Sequence, residues 1–378
     1  MYYASVSAGY KIAQRVLCLG IVVFLVFSII SNFREITFDN FFFLIRDFTS
    51  AMDAEGNSYE TLSYESDSRQ NFVMYRGGIA TVSPSKISIF TATGRRTLNS
   101  TSSYSSPHLI SSNKYVLVYD TSGTTFSIYN AFSRVYTETL DYPITDACFG
   151  DDGSFVIVTR TADSRSVIRK YNRQFEIAVE LSADHFVFDI ALNQQKDQLA
   201  LLSYELGDGT GQTVLSIRDS KTFKETEKIY YKGEFPIACG FLDGDRFAIM
   251  TDQRIRILDQ DFSIRDISRD YSSGNITGYH LSEQGVAVST TISSQNCIVA
   301  FDQKGNLVYD GFVSFTVFDI TVYDAFVFMQ TEQGVARMDP KTEKTIVLNA
   351  GHGKMLIYNA NTALVCGDSK AVYLVFND

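Results

Sequence analysis

Three aspartates recur at matching places in this chain. Asp146 in TDACF, Asp189 in FDIAL and Asp319 in FDITV each stand near the start of a short apolar run. Carboxylates gathered at one mouth would bind a cation or a basic group. The corresponding places in other parts of the chain hold Ser106, Ala238, Gly278 and Met355, so such an acidic ring is incomplete. The competing reading is that each Asp accepts hydrogen bonds from a neighbouring segment's backbone. The histidines, His108, His185, His280 and His352, fall in separate regions, and none has HExxH or another zinc-like spacing. No GxSxG elbow and no Walker A sequence occurs. Gly207-Asp-Gly-Thr-Gly211 lacks the Lys of a phosphate loop, so it reads as a flexible hairpin loop. Asn99-Ser-Thr101 and Asn275-Ile-Thr277 match glycosylation sequons, which matter only in a eukaryotic secretory pathway. Cys18, Cys148, Cys239, Cys297 and Cys366 lie far apart, and the last four sit in strand-like runs as small apolar residues. These residues predict no cofactor and no metal.

The elements that hold them repeat. Residues 144–184 read ITDACFGDDG, SFVIVTRTADS, RSVIRKYNRQ and FEIAVELSAD. Each piece is an apolar or alternating run closed by turn residues, so the four make one antiparallel sheet. Such units begin near Asn71, Tyr104, Ile144, His185, Phe235, Ile276, Phe315 and Lys354, with spacings of 40, 41, 50, 41, 39 and 39 from Tyr104 onward. Four strands per unit at this period predict an all-β propeller, whose first strands line a central channel. The last unit has three runs, MLIYNA, ALVCGD and AVYLVFND, and the orphan run at residues 59–66 would supply its fourth strand. That closure gives eight blades and removes an open edge. Seven is the alternative, if Asn71–Ser103 is not a full blade.

The chain has 378 residues, 29 Phe, 22 Tyr and no Trp, and a net charge of −10. Aromatic residues suit packed strands. The negative charge argues against a nucleic-acid surface.

Ahead of the array, no charge occurs between Arg15 and Arg34. That stretch is just long enough to cross a bilayer. No small-residue cleavage site follows it, so it reads as an uncleaved signal anchor. Lys11 and Arg15 precede it, which places residues 1–15 in the cytoplasm, a transmembrane span at 16–33, and the rest outside. Within 34–58, Phe38, Phe41, Phe42, Ile45, Phe48 and Met52 form one helical stripe. This short amphipathic helix either lies on the membrane or packs on protein. Residues 59–378 form the propeller.

Runs such as RIRILDQ and CIVAFDQ, each following an Asp/Gly turn and an apolar run, resemble the units of WD-repeat-like and quinoprotein-like propellers. The layout also resembles single-pass propeller proteins of Gram-positive bacteria. The chain lacks the Trp-Asp pairs of the first group and the tryptophan-docking motifs of the second. A pyrroloquinoline quinone, which usually stacks on Trp, is therefore not expected.

Function follows from the blade's geometry. Loops after second and fourth strands share one face, and recognition concentrates on such loops. The candidate loops are Glu205–Gln212 with Asp208 exposed, Arg160–Ser166 and Thr290–Asn296. The expectation is a membrane-tethered extracytoplasmic propeller that binds a protein, peptide or glycan at the cell envelope, with a basic partner favoured by the acidic field. The alternative is a hydrolase or lyase acting on a cell-surface polymer.

Overall fold

The computed structural model describes residues 14–24, 26 and 61–377, apart from positions 68, 151, 194, 208, 244, 245, 260, 263–266 and 343. The chain falls into two units, 1–56 and 57–378. In the first, a helix occupies 14–24 and 26. Among the described residues no helix is long and apolar enough to cross a membrane. The expected span at 16–33 runs past this helix, and the expected amphipathic helix at 37–52 lies outside the described residues.

The second unit consists of eight four-stranded antiparallel sheets. We number the blades by their inner strands: Asn71–Tyr75, Pro107–Ser111, Ile144–Phe149, Phe186–Asn193, Pro236–Leu242, Asn275–Ser282, Val317–Tyr323 and Lys354–Asn359. Each falls at or within a few residues of an expected unit start. The middle strands carry the burial. Phe155–Thr159 of blade 3 is buried at every position. A strand buried on both faces needs cover on both sides, and here the cover is the two neighbouring blades. Eight apolar clusters result, each shared by two consecutive blades. Phenylalanine and tyrosine supply the large side chains of these clusters. Between blades 2 and 3, Phe155 stacks on Tyr171 with centroids 4.6 Å apart, and Phe126 meets both edge-on.

The ring closes as the orphan run predicts. Thr61–Ser63 pairs antiparallel with Lys370–Val375 and becomes the outer strand of blade 8. Leu62 is 2% exposed and packs with Leu364 and Ala371 of blade 8 and with Ile79 and Phe90 of blade 1. The Tyr64 hydroxyl donates to the Gly367 carbonyl at 2.5 Å. Blade 1 is a full four-stranded sheet, so the count is eight and not seven.

Leu62→Ala should lower stability by about 2–5 kcal/mol in denaturant titration, because it opens a cavity at the joint between the last and first blades. A loss under about 0.5 kcal/mol, the range of ordinary surface changes, would mean that this strand does not close the ring.

Candidate binding face and channel mouth

Five inner strands carry a bulge at the same level. The register shifts between Ile144 and Asp146, Val187 and Asp189, Pro236 and Ala238, Ile276 and Gly278, and Val317 and Asp319. A bulge adds one residue and re-aims the side chains beside it. The three expected aspartates therefore do share one level at the mouth of the channel, with Ala238 and Gly278 between them. In blade 2 the register puts His108, opposite Tyr119, at this level. Ser106 lies before that strand, so the counterpart read from the sequence is off by two residues.

The aspartates bind backbone and neighbouring blades. Asp146, Asp189 and Asp319 each accept the amide of the next residue, from Ala147 at 2.8 Å, Ile190 at 3.0 Å and Ile320 at 3.0 Å. Asp189 also reaches blade 5, where it accepts the Cys239 amide at 2.6 Å. Asp319 reaches blade 8, where Lys354 Nζ lies 3.4 Å from its Oδ2. Asp146 faces Asp189 of blade 4. In blade 1, Asn71 does the same by donating to the Pro107 carbonyl of blade 2 at 2.7 Å. Among the described residues no group of three or more His, Cys, Asp or Glu could hold a metal ion. The contacts the three aspartates make are thus to backbone and to neighbouring blades.

The Asp146–Asp189 pair is electrostatically unusual. Protein surrounds both carboxyls, so desolvation disfavours their charged forms. That burial, followed by the neighbouring Asp189 charge, raises Asp146 well above the usual carboxylate range. Burial also raises Asp189, to about 6, although the Cys239 and Ile190 amides pull the other way. Asp146 Oδ2 is buried without a hydrogen-bond partner. Two carboxylates have no proton to offer each other, whereas one shared proton gives that oxygen a bond to Asp189. Burial first, then these two charges, pushes up the nearby Cys239 thiol and Tyr119 hydroxyl. His280 is driven the opposite way, down to about 4, by burial and then by Lys354. A protonated and an ionised carboxyl side by side are the ingredients of acid–base chemistry. Here, however, Asp189 spends both oxygens on amides and Asp146 faces Asp189.

The residue inside the bulge matters as much as the Asp after it. Phe188 and Phe318 precede Asp189 and Asp319, and are 42% and 47% exposed. Each packs edge-on against a ring that enters the next blade: Phe188 on Phe235 at 5.0 Å and Phe318 on His352 at 5.4 Å. Tyr204 joins the first pair, 5.0 Å from Phe235. Phe235 is itself 42% exposed. On the same face, Arg160 and Arg165 lie 4.9 and 5.1 Å from the Phe186 ring centroid. Sequence reasoning missed these aromatics, although VFDI occurs twice, at 187–190 and 317–320.

The candidate loops separate into exposed and structural residues. The strands pair as far as Gly207 and Thr210, so the described part of the expected flexible loop is a paired hairpin arm. Leu206 near its tip is 78% exposed. Glu205 accepts from Gln212 at 2.9 Å, and Gln212 is buried. Asp208 lies outside the described residues. Ser166 is buried, and its hydroxyl accepts the Val187 amide at 3.1 Å. Thr290 is buried inside a strand, and Asn296 donates to the Phe315 carbonyl at 3.0 Å. The turn of that hairpin is Ser293-Ser294 alone, both at positive φ, as a type I′ turn requires. Ser166, Gln212, Thr290 and Asn296 therefore hold the fold together, while Arg160 and the arm at Leu206 face solvent.

The raised carboxyls of this pair fix a sign for pH dependence. A carboxyl whose pKa rises on folding stabilises the fold below its ordinary value, and that contribution is lost as pH rises through the folded value. His280, lowered on folding, slopes the other way between about 4 and its ordinary range. Asp146→Asn keeps the donor and removes the titration. Relative to wild type, this variant should gain stability as pH rises from about 5 to 8, by roughly 1 kcal/mol or more. A difference between the two proteins that stays flat with pH would mean that no proton is shared.

Comparison with known structures agrees with the fold. BamB from Moraxella catarrhalis is similar at a TM-score of 0.55 and 10% identity, over 85% of this chain and 99% of that one. A quinohemoprotein alcohol dehydrogenase from Pseudomonas putida is similar at 0.56 and 10% identity, over 84% and 76%. A structure described as the eukaryotic initiation factor is similar at 0.55 and 11% identity, over 78% and 80%. These likenesses show the propeller fold that the repeats resemble, and at such identities they show the fold alone. No curated protein matches the sequence. Residues 54–364 match a family described as a family of unknown function, DUF5711, and the chain belongs to it.

Proposed function

We propose that this chain is a membrane-tethered binding protein whose propeller recognises a protein or peptide partner outside the cytoplasm, through the face that carries the channel mouth. One observation carries the reading. Phe188, Phe235 and Phe318 are each more than 40% exposed beside the mouth, and Arg160 and Arg165 stack on Phe186 on the same face. Neither arginine makes an ion pair with a carboxylate among the described residues. Exposed aromatics with arginine are the composition of interface cores. The rings are held by bulges and by contacts with the next blade, so little side-chain freedom remains to be lost on binding. The projecting arm at Leu206 adds apolar surface at the rim.

The tether rests on the sequence. The uncharged stretch between Arg15 and Arg34 supports a span at 16–33, and Lys11 and Arg15 before it support a cytoplasmic N-terminus. The propeller then stands outside the membrane.

One experiment checks both halves. Cysteine is introduced at Phe188, at Phe318, or at the exposed Lys304 in a turn on the opposite face. Intact cells are then treated with a membrane-impermeant thiol crosslinker. All three positions should label, and only 188 and 318 should trap a partner. Labelling that requires lysis would contradict the orientation, and partner capture from 304 alone would contradict the face.

A further inference from the structure

A polar cavity of about 280 Å³ opens between blades 1 and 2, away from the channel. Nine of its twelve lining residues carry a hydroxyl, and the others are Asp120, Gly123 and Arg134. No aliphatic side chain lines it. Its floor is Tyr104, Ser127 and Tyr129, at 8%, 2% and 1% exposure. The Tyr104 hydroxyl donates to Ser127 Oγ at 2.7 Å, and Ser127 Oγ lies 2.9 Å from Thr137 Oγ1. Arg134 and Thr137 are exposed, so the cavity opens at the outer strand of blade 2.

The register aligns this place across the blades. Ser127 pairs with Val118, one residue before the partner of the channel-level residue. The same place holds Arg169 in blade 3 and Arg256 in blade 5. Arg169 bonds Glu180 at 2.6 Å. Arg256 bonds Glu234 at 2.7 Å and lies 4.3 Å from the Tyr231 ring centroid. Those blades fill the gap toward the preceding blade with a long ion-paired side chain. Blade 4 puts Ser216 there and sets Glu225 against it, which accepts its hydroxyl at 2.9 Å. Blade 2 puts Ser127 there beside Thr137 and leaves the gap open above Tyr104 and Tyr129.

We propose that this cavity is a binding site for a single neutral sugar residue. Its volume of about 280 Å³ falls just below the range of ligand pockets, roughly 300–1,000 Å³, so it suits one ring rather than a chain. Hydroxyls both donate and accept, which matches the hydroxyls of a sugar. One acidic and one basic residue line it, and Asp120 is already held by the Ser105 and Ser106 amides at 3.1 and 2.6 Å. A charged ligand therefore finds no net complement. The tyrosine rings supply apolar faces, and the site would otherwise hold displaceable water. This site is independent of the protein-binding face.

The test is ligand-observed NMR on the full-length chain in detergent, with a panel of neutral hexoses and N-acetylhexosamines. At least one sugar should bind in the millimolar range. Ser127→Arg, which restores the filler of blades 3 and 5, should weaken binding roughly tenfold or more, the equivalent of about 1.4 kcal/mol. If that variant fails to fold, Ser127→Leu fills the same space. Binding by none of the sugars, or undiminished binding by a folded filled variant, would overturn the proposal.

Discussion

The innermost strand of every blade is an edge strand. One side pairs with its own sheet, and the other faces the channel, where no strand can pair with it. Buried backbone groups need partners, so side chains must supply them. In this chain the bulge puts an acceptor where those amides are. Asp146, Asp189 and Asp319 each take the amide that follows them, and Asp189 takes that of Cys239 in the next blade as well. Lys354 and Asn71 make the corresponding crossings between blades 7 and 8 and between blades 1 and 2. Apolar packing between blades sets how many close the ring, and these crossings set how the inner ends align.

Carboxyls and exposed rings are thereby separated at the mouth. The carboxyls that look reactive in the sequence are turned sideways into the blade joints. The side chains left facing outward are the bulged phenylalanines and their ring partners. An edge-on aromatic pair is both a contact between blades and an exposed apolar surface, so the same bulge that places an Asp also builds this exposed apolar face.

Much of the fold was legible. Period, turn residues and the orphan strand lead to eight blades with N-to-C closure, because two-sided burial leaves a strong pattern in every middle strand. Exact levels were less legible. A bulge changes register by one residue without changing composition, so Ser106 reads as the counterpart of Asp146 where His108 stands. Thr290 reads as loop because Thr-Thr-Ile-Ser-Ser looks like turn sequence, yet only Ser293 and Ser294 turn. The exposure of the Phe in VFDI is not legible because nothing in one sequence distinguishes a bulged apolar residue from a buried one. The small size of Ser127 acquires meaning only beside Arg169 and Arg256, once register aligns the blades.

The most direct test of this account is a carbon-13 NMR titration of the Asp146 and Asp189 carboxyls. The account predicts that the pair releases its protons in two linked steps. One lies near 6 and the other well above the usual carboxylate range. Replacing Asp146 with Asn should remove the upper step and leave Asp189 a single titration. Two independent titrations near 4, the ordinary aspartate value, would contradict the claim that a shared proton ties blade 3 to blade 4.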